Sequence, residues 1–184
     1  MDAPAPASAD LLARAARVRL ACFDVDGTLT DGRLHFDAQG GEMKAFHVHD
    51  GQGLVLLRKA GIRVALITAR ASAAVERRAA ELGIDAFCAV ADKLARVEAL
   101  CVEAGIGLDE VVFMGDDLPD LAPMRAVGLA VAPANAHAWT AAEAHWRTNA
   151  RGGEGAAREL CDLVLTAQGA VDGLLQARVD GRRA

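Results

Sequence analysis

The chain has 184 residues, is 53% hydrophobic and carries a formal net charge of −5. That is one domain's length, with enough apolar material to bury a full core. The charge is mild, no basic block or basic amphipathic stretch stands out and tyrosine is absent, so neither nucleic acid nor a membrane surface is indicated as a partner.

Residues 1–16, rich in Ala and Pro, read as a flexible tail or short helix. They lack the basic start and long apolar centre of a secretion signal, and no apolar run reaches transmembrane length. Val18 to Phe23 reads as a buried strand. Residues 31–48 break the pattern with two short β-like runs around Asp37-Ala38-Gln39-Gly40-Gly41, a hairpin flap. A helix over Gly51–Ala60 precedes a strand over Arg63–Ile67. Ser72 caps a helix to Leu82, ended by Gly83, and Ile84 to Val90 is the next strand. A helix over Asp92–Ala104 leads to a strand over Val111–Met114 and a short helix over Pro119–Ala126. A strand over Leu129–Ala132, a helix over Asn135–Ala142, a short strand over His145–Thr148 and a long helix over Glu154–Gln168 follow. Residues 170–184 read as a last helix or tail.

This alternation predicts an α/β fold, a doubly wound, Rossmann-like, three-layer parallel sheet with a single domain over 17–169. The space between Asp26 and Thr68 admits a hairpin and one helix, so no large cap domain is expected. Cys22, Cys88, Cys101 and Cys161 form no CxxC pair and read as reduced thiols, which with the missing signal suggests a cytoplasmic protein.

The chemistry collects where the predicted strands end. The first runs into Asp24 and Asp26, the second into Thr68, and the helix after the third opens with Lys93. The strand after that runs into Asp116 and Asp117, with Asp120 just beyond. Residues i and i+2 of an extended chain face the same way, so Asp24 and Asp26 can share one pocket. Singly, each has a plain explanation: a turn at Asp26-Gly27, a helix cap at Thr68 or Asp116-Asp117, a solvated Lys93. Together they form a set of acids, a hydroxyl and an ammonium on one sheet edge, where ligands of such folds bind. Clustered carboxylates need a cation to stay ionised, and all-oxygen donors favour Mg²⁺.

The run DVDGTLTDG, the later ITAR, Lys93 and GDDLPD resemble the haloacid dehalogenase-like superfamily of phosphotransferases. The resemblance implies Asp24 as nucleophile and Asp26 as general acid and base, with Thr68 and Lys93 holding the phosphoryl group. Mg²⁺ would be held by Asp24, the Asp26 carbonyl and Asp116, with Asp117 and Asp120 orienting Lys93 or metal waters. From about residue 17 to 169 the chain is similar to the 3-deoxy-D-manno-octulosonate 8-phosphate (KDO 8-phosphate) phosphatase family. That implies a phosphorylated sugar acid as substrate and a homotetramer in which the hairpin and neighbouring subunits cover the site. The sugar would be approached by Asp26, Lys93, Arg70, Arg78 and the stretch His47, Val48, His49, Asp50, Gly51 that follows Phe46.

Two positions depart from the family pattern, His49 where arginine is usual and Glu154 where a basic residue is usual. Fewer cations weaken the recognition of a carboxylate, so the nine-carbon 2-keto-3-deoxynononate 9-phosphate and a broad range of phosphomonoesters stand as alternative substrates. A phospho-accepting regulatory module is an alternative of another class. It has no need of Asp26, two residues beyond the phosphorylated acid. The complete set of Asp24, Asp26, Thr68, Lys93 and Asp116 argues against an idle scaffold.

Overall fold

The computed structural model describes residues 8–181. Its elements in chain order are α1 (Ala9–Ala16), β1 (Leu20–Phe23), β2 (His35–Phe36), β3 (Glu42–Met43), α2 (Val48–Lys59), β4 (Arg63–Ile67), α3 (Ala73–Leu82), β5 (Asp85–Phe87), α4 (Lys93–Ala104), β6 (Val111–Met114), α5 (Leu121–Ala126), β7 (Leu129–Ala132), α6 (Ala138–Ala141), β8 (Trp146–Arg147), α7 (Ala156–Ala167) and α8 (Val171–Val179).

Six strands form one parallel sheet in the order β5-β4-β1-β6-β7-β8. The apolar strands LACF and VVFM are buried on both faces, as their lack of alternation predicts. Phe23, Leu66 and Met114 point to one side, against Leu54 of α2, Val75 of α3 and Leu160 of α7. Cys22, Ile67 and Phe113 point to the other, against Val97 and Leu100 of α4 and Met124 of α5. Alternate residues of the same strands thus feed two cores, which makes the three layers. Full burial of a side chain such as Phe23 or Phe113 stabilises by about 1.5–3 kcal/mol. α1 also packs into the first core through Leu11 and Ala15, so the packed body begins before residue 17. The expected tail lies, in its first seven residues, outside the described part, as do residues 182–184.

Several boundaries differ from the sequence expectation. The hairpin's strands have only two residues each, joined by a turn in which Asp37 Oδ1 accepts from Gln39 and Gly41 N–H. α2 starts at Val48 rather than Gly51, because no breaker intervenes. The third strand shortens to Asp85–Phe87. Ser72 stands at the N-cap of α3 with its hydroxyl buried and unpartnered, so it makes no capping bond. The expected helix over Asn135–Ala142 shrinks to one turn at Ala138–Ala141, and Asn135 serves elsewhere. The four cysteines are unpaired. No helix among the described residues is long and apolar enough to cross a membrane.

Candidate active site

The chain leaves central β1 to build β4 and β5 on one side, then returns to build β6, β7 and β8 on the other. The carboxyl ends at this reversal form the crevice where such sheets bind ligands. Register brings the ends level: Phe23 lies opposite both Leu66 and Met114, and Ile67 opposite Phe87. Two ladder bonds extend past the strands, from Asp24 N–H to the Met114 carbonyl (2.8 Å) and from Thr68 N–H to the Phe87 carbonyl (3.0 Å). They carry the fixed geometry of the core into the first residues of the loops.

At this rim lies a cleft of roughly 190 Å³ lined by Asp24, Asp26, Thr68, Arg70, Lys93, Asp116, Asp117 and Asp120. Lys93, in the first turn of α4, is buried and donates to Asp24 Oδ1 at 2.5 Å and to Asp120 Oδ1 at 2.6 Å. The other Asp120 oxygen accepts the N–H groups of Asp116 (3.0 Å) and Asp117 (3.2 Å). Asp120 therefore orients both Lys93 and the Asp116 loop. Asp117 Oδ1 accepts Leu118 N–H at 2.8 Å and so caps the short turn at Leu118–Asp120. Thr68 is buried, and its hydroxyl accepts Arg70 N–H at 3.2 Å.

One carboxylate oxygen from each of Asp24, Asp116 and Asp120 lies within 4.8 Å of the others. One ammonium faces these three acids. Burial, then Asp120, pushes the Asp24 carboxyl up to about 8, and the same two causes push Asp116 up to about 6. Burial pulls the Lys93 ammonium down, but Asp24 and Asp120 outweigh it and its net direction is up. The site is short of positive charge, and its donors are hard oxygens. That fits a divalent cation of the Mg²⁺ class. With both Asp120 oxygens occupied, Asp24 and Asp116 are the carboxylates with capacity left for it.

The turn after β1 has a demanding shape. Gly27 has φ +99°, and a Cβ there would stand 2.1 Å from Asp116 Oδ2. Its carbonyl accepts Asn135 Nδ2 at 3.3 Å, while Asn135 Oδ1 accepts Gly152 N–H at 2.6 Å. A Cβ on Gly152 would come within 1.8 Å of the Gly27 oxygen. The GGEG segment before α7 thus buttresses the acidic turn, a role that residue type alone does not reveal for Asn135.

The sequence reading missed a buried cation. Lys44, from the flap, ion-pairs with Asp26 Oδ1 and with Glu42 Oε1 (3.1 Å), and its side chain is only 2% exposed. Arg70 donates to the same Glu42 oxygen at 3.1 Å and holds Nε 3.9 Å from Asp26 Oδ2. That Asp26 oxygen is buried without a hydrogen-bond partner. A single Lys in a short exposed hairpin gives no periodic signal, so only the fold reveals it.

The remaining expected sugar contacts are not brought to this cleft. His47, Asp50, Gly51 and Arg78 line a separate, water-sized cavity beneath Phe46. The Asp50 carboxylate accepts Arg158 N–H (2.8 Å) and Gly155 N–H (3.3 Å), and so caps α7. Arg78 pairs with Glu81 at 3.4 Å and packs over Gly51. Val48 and His49, in the first turn of α2, face outward, and Glu154 is exposed. These positions follow from the early start of α2, whose helical turn sends Val48 and His49 outward together and Asp50 and Gly51 inward together.

Residues 88–160 match the model of the haloacid dehalogenase-like hydrolases. A 3-deoxy-D-manno-octulosonate 8-phosphate phosphatase of Yersinia pestis is 42% identical over 169 residues, covering 91% of this chain and 90% of that protein. A crystal structure of a Xanthomonas campestris protein superposes with a TM-score of 0.91 at 63% identity, covering 92% and 93% of the two chains. The 3-deoxy-D-manno-octulosonate 8-phosphate phosphatase of Moraxella catarrhalis, crystallised with magnesium, phosphate and KDO, superposes with a TM-score of 0.89 at 40% identity, covering 91% and 97%. With this similarity along nearly its whole length and the acidic rim in place, the chain belongs to the haloacid dehalogenase-like hydrolases, within the 3-deoxy-D-manno-octulosonate 8-phosphate phosphatase family.

Proposed function

We propose that this protein is a Mg²⁺-dependent phosphatase that converts KDO 8-phosphate to KDO and phosphate through an aspartyl-phosphate. The observation that carries the proposal is the juxtaposition of Asp24, Lys93 and Asp116 at the rim, with an unpartnered oxygen of Asp26 beside them. An Asp24 oxygen attacks phosphorus, and the bond from phosphorus to the sugar oxygen breaks. Asp26 delivers a proton to the departing alkoxide from its free oxygen Oδ2. In the second half, Asp26 takes a proton from the water that attacks the aspartyl-phosphate, and phosphate leaves. Lys93 and Thr68 hold the phosphoryl oxygens, with Asp120 fixing the ammonium in place. Asp24, Asp116 and the Asp26 carbonyl would hold Mg²⁺, which neutralises charge that develops on the phosphoryl group.

The relatives' substrate, a phosphorylated sugar acid, suits a cleft with Arg70 at its mouth. Arg70 offers a planar fork to a carboxylate. The proposal extends to a cytoplasmic location and to a homotetramer, and the homotetramer is supported by the exposed apolar side chains Phe36 (58%), Met43 (60%) and Val48 (75%) on and beside the flap. The test of the reaction is phosphate release from a panel of sugar phosphates that includes KDO 8-phosphate and its nine-carbon relative, with Mg²⁺ and with chelator. Mg²⁺-dependent turnover with the highest kcat/KM on KDO 8-phosphate is expected. Equal rates across the panel would refute the assigned substrate, and full activity in chelator would refute the metal.

A further inference from the structure

Four side chains at the mouth of the cleft close a ring of alternating charge. Lys44 Nζ lies between Asp26 Oδ1 and Glu42 Oε1, and Arg70 Nη2 reaches the same Glu42 oxygen at 3.1 Å. Arg70 Nε, 3.9 Å from Asp26 Oδ2, completes the circuit. With Asp26 ionised the two cations and two anions cancel, and with the proton that Asp26 delivers in the reaction Glu42 is the ring's one anion against two cations. Asp26 and Arg70 belong to the cleft that holds Asp24, whereas Glu42 and Lys44 belong to the flap.

The ring cannot simply open into water. Lys44 is nearly fully buried, and removing an anion from a buried ammonium without replacement is costly. Exchange of one anion for another is cheap by comparison. Arg70 is 42% exposed and approachable from the cleft mouth. A substrate carboxylate arriving at Arg70 meets Glu42 already there, and two carboxylates on one guanidinium edge repel. Glu42 is held by its ion pairs to Lys44 and Arg70, and it sits on a two-residue strand beside the exposed Phe36 and Met43, not on a core strand.

We propose that Glu42 is an internal competitor for the substrate's carboxylate. It occupies Arg70 and Lys44 in the resting site, and a phosphorylated sugar acid displaces it and takes over the two cations. Glu42 is then a specificity-determining residue: it weakens the binding of a ligand that brings its own carboxylate and leaves that of a simple phosphomonoester unchanged. The inference rests on the sugar-acid reading above.

The experiment compares KM for KDO 8-phosphate with KM for p-nitrophenyl phosphate, which lacks a carboxylate, in wild type and Glu42→Gln. The ratio of the two KM values is expected to fall about tenfold in Glu42→Gln, the scale of one charge-assisted hydrogen bond. In an Arg70→Met background the same substitution is expected to leave the ratio where it was. A ratio that stays or rises in the single variant overturns the proposal, and so does an equal fall without Arg70. A wild-type enzyme that hydrolyses p-nitrophenyl phosphate but not KDO 8-phosphate refutes the substrate reading instead. The ratio is then taken between 6-phosphogluconate and glucitol 6-phosphate, which differ only in the carboxylate, and Glu42 is judged on that pair by the same criteria.

Discussion

The rim and the flap carry charged residues in similar number but are held in opposite ways. Asp24, Thr68, Lys93 and Asp120 are buried, at or next to strand ends that the two cores lock in register. Glu42 is tied to Lys44 and to Arg70 by ion pairs, on a hairpin with two-residue strands and exposed apolar side chains. Chemistry that needs fixed distances sits on the rigid part. Groups that must exchange partners with a ligand sit on the part that costs little to move. The contrast teaches that one charged cluster can serve positioning and another selection, depending on what packs behind it.

The largest effects are expected at the rim. Asp24→Asn should remove detectable phosphate release from every phosphomonoester while the circular dichroism spectrum stays native. Residual turnover comparable with wild type would break the comparison at its rigid end. Asp26→Asn should lower kcat by about 10²–10⁴-fold, the usual contribution of a positioned acid and base. Rapid-quench measurement of the phosphorylated enzyme would show whether both half-reactions slow.

Next in size is the electrostatic balance. Lys93→Met leaves Asp24 and Asp120 facing each other without their shared cation, and should destabilise the metal-free protein by about 3–5 kcal/mol in urea unfolding. The same deficit predicts a pH dependence. The folded-state value of Asp24, about 8 without metal, lies above its ordinary 3.8, so the folded state binds more protons than the unfolded one between these values. Stability of the metal-free protein should therefore fall as pH rises from about 4 to 8. Added Mg²⁺ should raise Tm more at pH 8 than at pH 5, and an equal rise at both would contradict the charge deficit.

Smaller effects probe what supports each region. Gly152→Ala places a methyl against the Gly27 carbonyl and should cost about 1–3 kcal/mol, with a lower kcat because the acidic turn shifts. Phe36→Ser on the flap should change protomer stability by less than about 0.5 kcal/mol. Its effect should appear in light scattering, as loss of the proposed tetramer. If the flap variant instead disturbed Tm as strongly as the rim variant, the division between rigid and exchangeable regions would fail.

Much of the rim can be read along the chain. A buried strand that ends in acids is a local pattern, and its order relative to Thr68, Lys93 and Asp116 is a one-dimensional fact. Parallel strands have to deliver those ends to one edge, because the alternation with helices leaves no other way to bury both faces. What only the tertiary structure decided lies between distant segments. Asn135 and Gly27 are 108 positions apart, Asp50 and Arg158 likewise 108, and Lys44 and Asp26 meet through a hairpin with no periodic signature. Whether a charged side chain meets substrate, caps a helix or closes an ion-pair ring depends on which surfaces pack together. Packing is a property of the folded whole, and no local sequence pattern encodes it.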